Sequence, residues 1–213
     1  MSAPQRPWTV LLIGGSSGTG KTTIAAEVGR RLGTSWLQVD DLRLALQRSR
    51  VALPTGTEAL YFFEETPDVW RLPPERLRDG LIAVGDVMTP AIEIVVENHV
   101  ETIAATVIEG DGILPSLLAR PSLRRYLTDG RVRAVFLVEP DEEAILANML
   151  ARGRGVIDQT DAALRVQAHA YWLFGRWLAG EAARLDLPVM ETRPWATLAQ
   201  RILAPSNEET IPS

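Results

Sequence analysis

Residues 15–22 read Gly15-Ser16-Ser17-Gly18-Thr19-Gly20-Lys21-Thr22 and lie between an apolar run and an amphipathic stretch. They satisfy G-x-x-x-x-G-K-[ST], the pattern of a phosphate-binding loop. The flanks supply the context that such a loop requires. Thr9-Val10-Leu11-Leu12-Ile13 is continuous and partly β-branched, as a central parallel strand buried on both faces must be. After Lys21, Ile24, Ala25, Val28 and Leu32 recur at helical spacing, and Gly33 ends the segment. In a strand-loop-helix unit of this kind, glycines let successive N–H groups converge on phosphate oxygens while the helix N-terminus adds partial positive charge. Gly15, Ser16, Ser17, Gly18, Thr19, Gly20, Lys21, Thr22 and Thr23 are therefore the expected nucleotide-phosphate-binding residues. Lys21 would reach the β- and γ-phosphates, and the Thr22 hydroxyl would hold Mg²⁺.

Lys21 is the only lysine in the chain; every other basic residue is arginine. A compact ammonium on a flexible stem acts on phosphate as a point charge, which a planar guanidinium does differently. With no second lysine there is no Asn-Lys-x-Asp motif, and GTP-binding switch proteins that read guanine that way are excluded.

With 213 residues, 46% hydrophobic and 23% charged, the chain suits one soluble α/β domain. A net charge of −5 argues against a nucleic-acid or anionic-membrane partner. The chain has no cysteine, which removes disulfides, thiolate metal sites and cysteine nucleophiles and agrees with a cytoplasmic location. No apolar run approaches the roughly 18 residues of a membrane span, and the N-terminus has no signal-peptide core.

Further along, Ser35 to Val39 reads as a second strand ending at Asp40-Asp41, with Asp41 the N-cap of a helix from Leu42 to Arg48. In open α/β sheets ligands sit beyond the carboxyl ends of strands, so Asp40 is expected in the phosphate crevice. The 51–74 stretch is broken by prolines and carries Tyr61, Phe62, Phe63 and Trp70, reading either as an acceptor-binding arm or as a small packed subdomain. Two helices follow, Pro74 to Met88 and a second opened by Thr89-Pro90, with His99 as a packed side chain. Thr102 to Ile108 is a third strand running into Glu109-Gly110-Asp111-Gly112; Glu109, and after it Asp111, is the expected metal-shell carboxylate. Val132 to Val138 is a fourth strand. The helix after Pro140 closes at Arg152-Gly153-Arg154-Gly155, whose two arginines on a glycine-flanked hinge suggest a lid over the triphosphate. A helix from Asp161 to Leu185, a fifth strand Leu187 to Glu191 and a last helix opened by Thr192-Arg193-Pro194-Trp195 complete the chain, with a polar tail from 205 to 213 expected to be disordered. The predicted fold is an open parallel five-stranded sheet with helices on both faces, one domain over 1–213, with an arm over 51–102 and a lid over 151–160.

With these elements the chain resembles the P-loop small-molecule kinases of the nucleoside-monophosphate-kinase type over nearly its whole length. Within them it looks most like the 2-phosphoglycerate kinase-like proteins. Gly14 to Thr23, Asp40-Asp41-Leu42-Arg43 against Asp-x-x-Arg, and Glu109 to Pro115 against Glu-Gly-x-His-x-x-Pro carry the resemblance. Gly112 stands at that pattern's His, and the 51–74 stretch lacks the family's Ser-Ser-Tyr. The Gly-Gly-Ser-Ser opening with a strand-two Asp also resembles chloramphenicol phosphotransferase.

The resemblance implies an ATP- and Mg²⁺-dependent phosphotransferase acting on a small hydroxylated molecule. Lys21, Arg152 and Arg154 would act on the transferring phosphoryl group and Thr22 and Glu109 on Mg²⁺, while Asp40, Arg43 and Glu109 face the acceptor, Asp40 as base and Arg43 as an anion grip. A neutral alcohol acceptor, a P-loop ATPase and a nucleotide-binding regulator are the alternatives. Oligomeric state is left open.

Overall fold

The computed structural model describes residues 8–49, 51–153 and 160–204. Five strands, β1 (Val10–Gly15), β2 (Ser35–Gln38), β3 (Thr106–Gly110), β4 (Val132–Val138) and β5 (Val189–Glu191), form one parallel sheet in the order β2-β3-β1-β4-β5. Parallel strands need long crossovers, and helices supply them. The helices among the described residues are α1 (Lys21–Leu32), α2 (Val39–Arg48), α3 (Phe62–Glu65), α4 (Pro74–Glu101), α5 (Pro115–Leu118), α6 (Pro121–Thr128), α7 (Glu142–Arg152), α8 (Asp161–Arg184) and α9 (Leu198–Leu203). From β1 the chain passes to the β2 edge, returns through β3 and then crosses to β4 on the other side. The reversal of winding beside β1 opens a crevice beyond the carboxyl ends of the central strands.

Alternation along β1 divides the core into two layers. Val10 and Leu12 point with Ile108, Ala134 and Phe136 towards α4 and α8, whereas Leu11 and Ile13 point with Val107, Val135 and Leu137 towards α1 and α9. Both faces are covered, which is why β1 is apolar without interruption.

The structure corrects several expected boundaries. Val39 is the buried first residue of α2, so Asp40 and Asp41 occupy its first turn; Gln38 holds the N-cap position and Asp41 does not cap. β3 runs from Thr106 to Gly110 and includes Glu109. The two helices expected on either side of Thr89-Pro90 are one, α4, with Pro90 inside it. An interior proline costs about 3 kcal/mol or more. Beyond it, however, Ile92, Val96 and Val100 continue the buried stripe of Leu77, Val84 and Met88, and each such side chain contributes about 1.5–3 kcal/mol. Pro90 itself is exposed, and the Thr89 hydroxyl donates to the Gly85 carbonyl at 3.0 Å.

In the 51–74 stretch, short 3₁₀ turns at Glu58–Tyr61 and Val69–Arg71 flank α3. Phe63 stacks on Trp70 with ring centroids 5.3 Å apart, and this cluster packs against Leu77 of α4 and Ala170 of α8. His99 Nδ1 lies 2.8 Å from the Ala104 carbonyl and His169 Nδ1 2.8 Å from Glu142 Oε2. Arg154, most of the expected lid and the 205–213 tail lie outside the described residues. Among the described residues no helix is long and apolar enough to cross a membrane.

Gly110 ties the sheet to α2, because a Cβ there would stand 2.6 Å from Val39 Cβ, a branched position that cannot swing aside. Gly110→Ala is expected to cost about 1–3 kcal/mol by overpacking. Gly180→Ala, on α8 with no atom near the added Cβ, should instead stabilise by up to about 1 kcal/mol. Urea unfolding of both variants measures the contrast, and equal effects would contradict the packing described.

Candidate functional site

The phosphate loop joins β1 to α1 and lines a cleft of about 620 Å³. Gly20 begins α1 in the left-handed conformation, with φ 73°, and a Cβ there would stand 2.1 Å from Trp195 Cη2. No side chain caps α1 and its first turn carries no acidic residue, whereas α2 and α7 both have carboxylates in theirs. The positive end of α1 is thus left to an external anion. Lys21 is buried, and its Nζ donates to the Ser16 carbonyl at 2.8 Å. The Thr19 hydroxyl donates to the same carbonyl at 2.8 Å. Asn148 Nδ2 of α7 donates to the Gly18 carbonyl at 2.8 Å, and Arg152 Nη2 to Ser17 Oγ at 3.3 Å.

Strand register brings the acidic residues to this loop. Gln38, Glu109 and Ile13 lie in one row across β2, β3 and β1, two residues before Gly15, where β1 gives way to the loop. From there Glu109 Oε1 accepts from the Thr22 hydroxyl at 2.7 Å. Asp40, Glu109, Asp111 and Arg152 line a second recess, about 40 Å³, which Ser17, Lys21 and Thr22 border from the loop side. Arg43 Nη2 donates to Asp40 Oδ1 and Nη1 to Gln47 Oε1, both at 3.2 Å. Gln47 Nε2 reaches on to the Leu60 carbonyl at 2.7 Å, so α2 also anchors the 51–74 stretch.

Burial raises the Glu109 carboxyl above the ordinary carboxylate range; Lys21 and the Thr22 hydroxyl pull it down, while Asp111 and Asp40 push it up. Asp111 is raised by burial and by Asp40, against the pull of Lys21 and Arg43. Crowded carboxylates of this kind suit a cation. Among the described residues no cluster of three or more His, Asp or Glu is set to hold a metal by itself. Mg²⁺, however, is usually held by one or two protein oxygens together with nucleotide phosphates and water. Thr22 and Glu109 fit that role.

The sequence-predicted residues Lys21, Thr22, Asp40, Glu109 and Arg152 therefore converge, with Arg43 behind Asp40. Sequence reasoning missed Gln38, Glu139, Asn148, Thr192, Arg193 and Trp195, which line the cleft. Glu139 is buried after β4, where it accepts from the Thr192 hydroxyl at 3.0 Å and from Arg193 Nε at 3.3 Å, fixing the segment that carries Trp195 over the loop. Thr192 follows β5, so the strand-end rule applied to Asp40 would have found this segment too.

A carboxyl raised by folding binds its proton more tightly in the folded state. Its contribution to stability is full below the unfolded pKa and is lost as pH rises through the folded one. The ligand-free protein should accordingly lose stability as pH climbs above the ordinary carboxylate range. Glu109→Gln should flatten part of that loss and raise Tm at pH 7, while weakening the Mg²⁺ dependence of nucleotide binding. Tm profiles from pH 4 to 8 would test this, and a mutant profile parallel to wild type would contradict it.

No model of a known protein family matches the sequence. The chain is similar to the 2-phosphoglycerate kinase of Methanocaldococcus jannaschii, 28% identical over 193 residues that make up 85% of this chain and 58% of that protein. It is also similar to the 2-phosphoglycerate kinase of Methanopyrus kandleri, 32% identical over 153 residues, 68% of this chain and 44% of that protein. The chain thus spans about half the length of these curated relatives. Among solved structures, shikimate kinase from Acinetobacter baumannii in complex with shikimate superposes with a TM-score of 0.51 at 17% identity, covering 92% of this chain and 91% of that one. The chain therefore has the fold of the P-loop kinases, with sequence similarity to proteins named 2-phosphoglycerate kinase.

Proposed function

We propose that the protein is a cytoplasmic ATP-dependent kinase that phosphorylates a hydroxyl of a small anionic metabolite, with 2-phosphoglycerate the first acceptor to test. One observation carries the reading: a polar recess holding Asp40 and Arg152 adjoins the phosphate loop at Lys21 and Thr22. A donor phosphoryl group and an acceptor hydroxyl can meet there in line. The names of the sequence relatives support the acceptor, and Arg43 supplies a guanidinium beside Asp40 for its charge.

In this reading the larger cleft takes ATP, with the base against Trp195 and the phosphates on the amides of residues 17–22. Mg²⁺, held by Thr22 and Glu109, would neutralise charge on the β- and γ-phosphates. Asp40 orients the acceptor hydroxyl and takes its proton as the oxygen bonds to the γ-phosphorus; the bond to the bridging oxygen breaks and ADP leaves. Lys21 and Arg152 stabilise the charge on the transferring group, with Arg154 as a second guanidinium for the same task.

An ADP-release screen over phosphorylated hydroxy acids, sugars, nucleosides and phenicol-like alcohols tests the reading. Activity with 2-phosphoglycerate is expected. Lys21→Ala should abolish transfer while leaving Tm nearly unchanged. Asp40→Asn should cut kcat by about 10²–10⁴-fold and spare ATP affinity, and Arg43→Ala should raise the acceptor KM while sparing that for ATP. Steady ADP release that no acceptor stimulates would replace the kinase with an ATPase, and a neutral acceptor indifferent to Arg43→Ala would remove the anion grip.

A further inference from the structure

The larger cleft and the smaller recess meet at the phosphate loop, and among the described residues Lys21, Thr22, Gln38 and Arg152 line both. Three of these are already engaged. Lys21 Nζ donates to the Ser16 carbonyl at 2.8 Å, the Thr22 hydroxyl to Glu109 Oε1 at 2.7 Å and Arg152 Nη2 to Ser17 Oγ at 3.3 Å. The Gln38 carboxamide hydrogen-bonds to none of the described residues. Although Gln38 holds the N-cap position of α2, its side chain does not cap that helix.

Register fixes where this carboxamide points. Gln38 pairs with Glu109, and Glu109 with Ile13, so the three side chains leave the same face of the sheet. Ile13 faces the layer of α1 and α9, and Glu109 reaches Thr22 in the first turn of α1. Gln38 is therefore half-buried on the α1 side, one strand spacing of about 4.8 Å from Glu109. Asp40, Glu109 and Asp111 line the smaller recess alone, so among the described residues no carboxylate lines both recesses. A half-buried amide without a protein partner adds nothing to the fold that an apolar side chain would not, and its N–H donors are left for a ligand.

We infer that Gln38 is a catalytic residue of phosphoryl transfer, its Nε2 donating to an oxygen of the transferring phosphoryl group where the two recesses meet. The inference rests on the kinase reading, since in that reading the phosphoryl group passes from the larger cleft into the smaller recess. Lys21 and Arg152 bring positive charge to that point from α1 and α7. Gln38 adds a neutral donor from the end of β2, where a carboxylate would repel the phosphoryl oxygens. No bond forms or breaks at Gln38. Its hydrogen bond strengthens as charge develops on those oxygens, so it acts on kcat more than on substrate binding.

The test compares Gln38→Leu, Gln38→Glu and Gln38→Asn in the full chain, with MgATP and 2-phosphoglycerate as substrates. Gln38→Leu should lower kcat by about 10²–10³-fold, the cost of one lost oxyanion donor, and leave both KM values within about twofold. Gln38→Glu, equal in size but charged and without the donor, should be slower still. Gln38→Asn, whose amide stands one methylene back, should fall between Gln38→Leu and wild type. A second readout needs no acceptor: affinity for ADP with Mg²⁺ and aluminium fluoride, which mimics the transferring phosphoryl group, should fall in Gln38→Leu while affinity for MgADP holds. An unchanged kcat, or Gln38→Glu as fast as wild type, would overturn the inference. So would a loss of MgADP affinity that excess Mg²⁺ restores, which makes Gln38 a metal-shell residue, or a raised acceptor KM at unchanged kcat, which makes it an acceptor contact. If wild type transfers phosphate to no acceptor, the kinase reading fails while the aluminium-fluoride comparison still decides the role of Gln38. Should Gln38→Leu lower Tm, Gln38→Asn must show both losses by itself, and their absence there counts against the inference.

Discussion

The 2.7 Å hydrogen bond from the Thr22 hydroxyl to Glu109 joins a helix start to a strand end, and the whole site hangs on that junction. Thr22 belongs to the helix that β1 feeds, and Glu109 to the neighbouring strand β3. Their meeting depends on a register that sets Ile13 against Glu109. Side chains alternate along a strand, so a slip of one residue would turn Glu109 to the other face of the sheet. Continuous burial of β1 between two apolar layers prevents that slip, since every side chain on it would have to change layers.

Tight packing extends this control to Asp40 and Arg43. Gly110 admits Val39, Val39 opens α2, and α2 carries Asp40 and Arg43. Gln47 then passes the position of α2 to the 51–74 stretch through the Leu60 carbonyl. That stretch is held by an aromatic cluster between α4 and α8, so it is structured by packing despite having little regular backbone. A carboxylate, a guanidinium and the wall beyond them are placed by one helix whose start is set by the sheet.

At the larger cleft, Glu139 has the corresponding role. A buried carboxylate is tolerated where hydrogen bonds and a guanidinium compensate it. Here Thr192 and Arg193 do so, and in doing so they bind the segment after β5 to the end of β4. The cleft is thereby built from residues more than 170 positions apart in sequence, Gly20 and Trp195, brought together by parallel crossovers.

Much of this was legible in the sequence because it is local. The phosphate loop, its strand and its helix are specified by glycine conformations and by apolar spacing within about 25 residues, and the single lysine marks where a point charge is needed. Asp40 and Glu109 were readable from their positions at strand ends, since the carboxyl ends of parallel strands share one side of the sheet, and Arg152 from the glycine-flanked segment that closes its helix. What the sequence could not decide was set by long-range burial. The continuity of α4 through Pro90 depends on a stripe whose partners lie in the sheet, and local proline chemistry points the other way. Trp195 looks like an ordinary turn aromatic in its own segment. Only the packing of the β5 exit against the phosphate loop sets it beside Gly20, because periodicity says which face of an element is buried and not which residue it will meet.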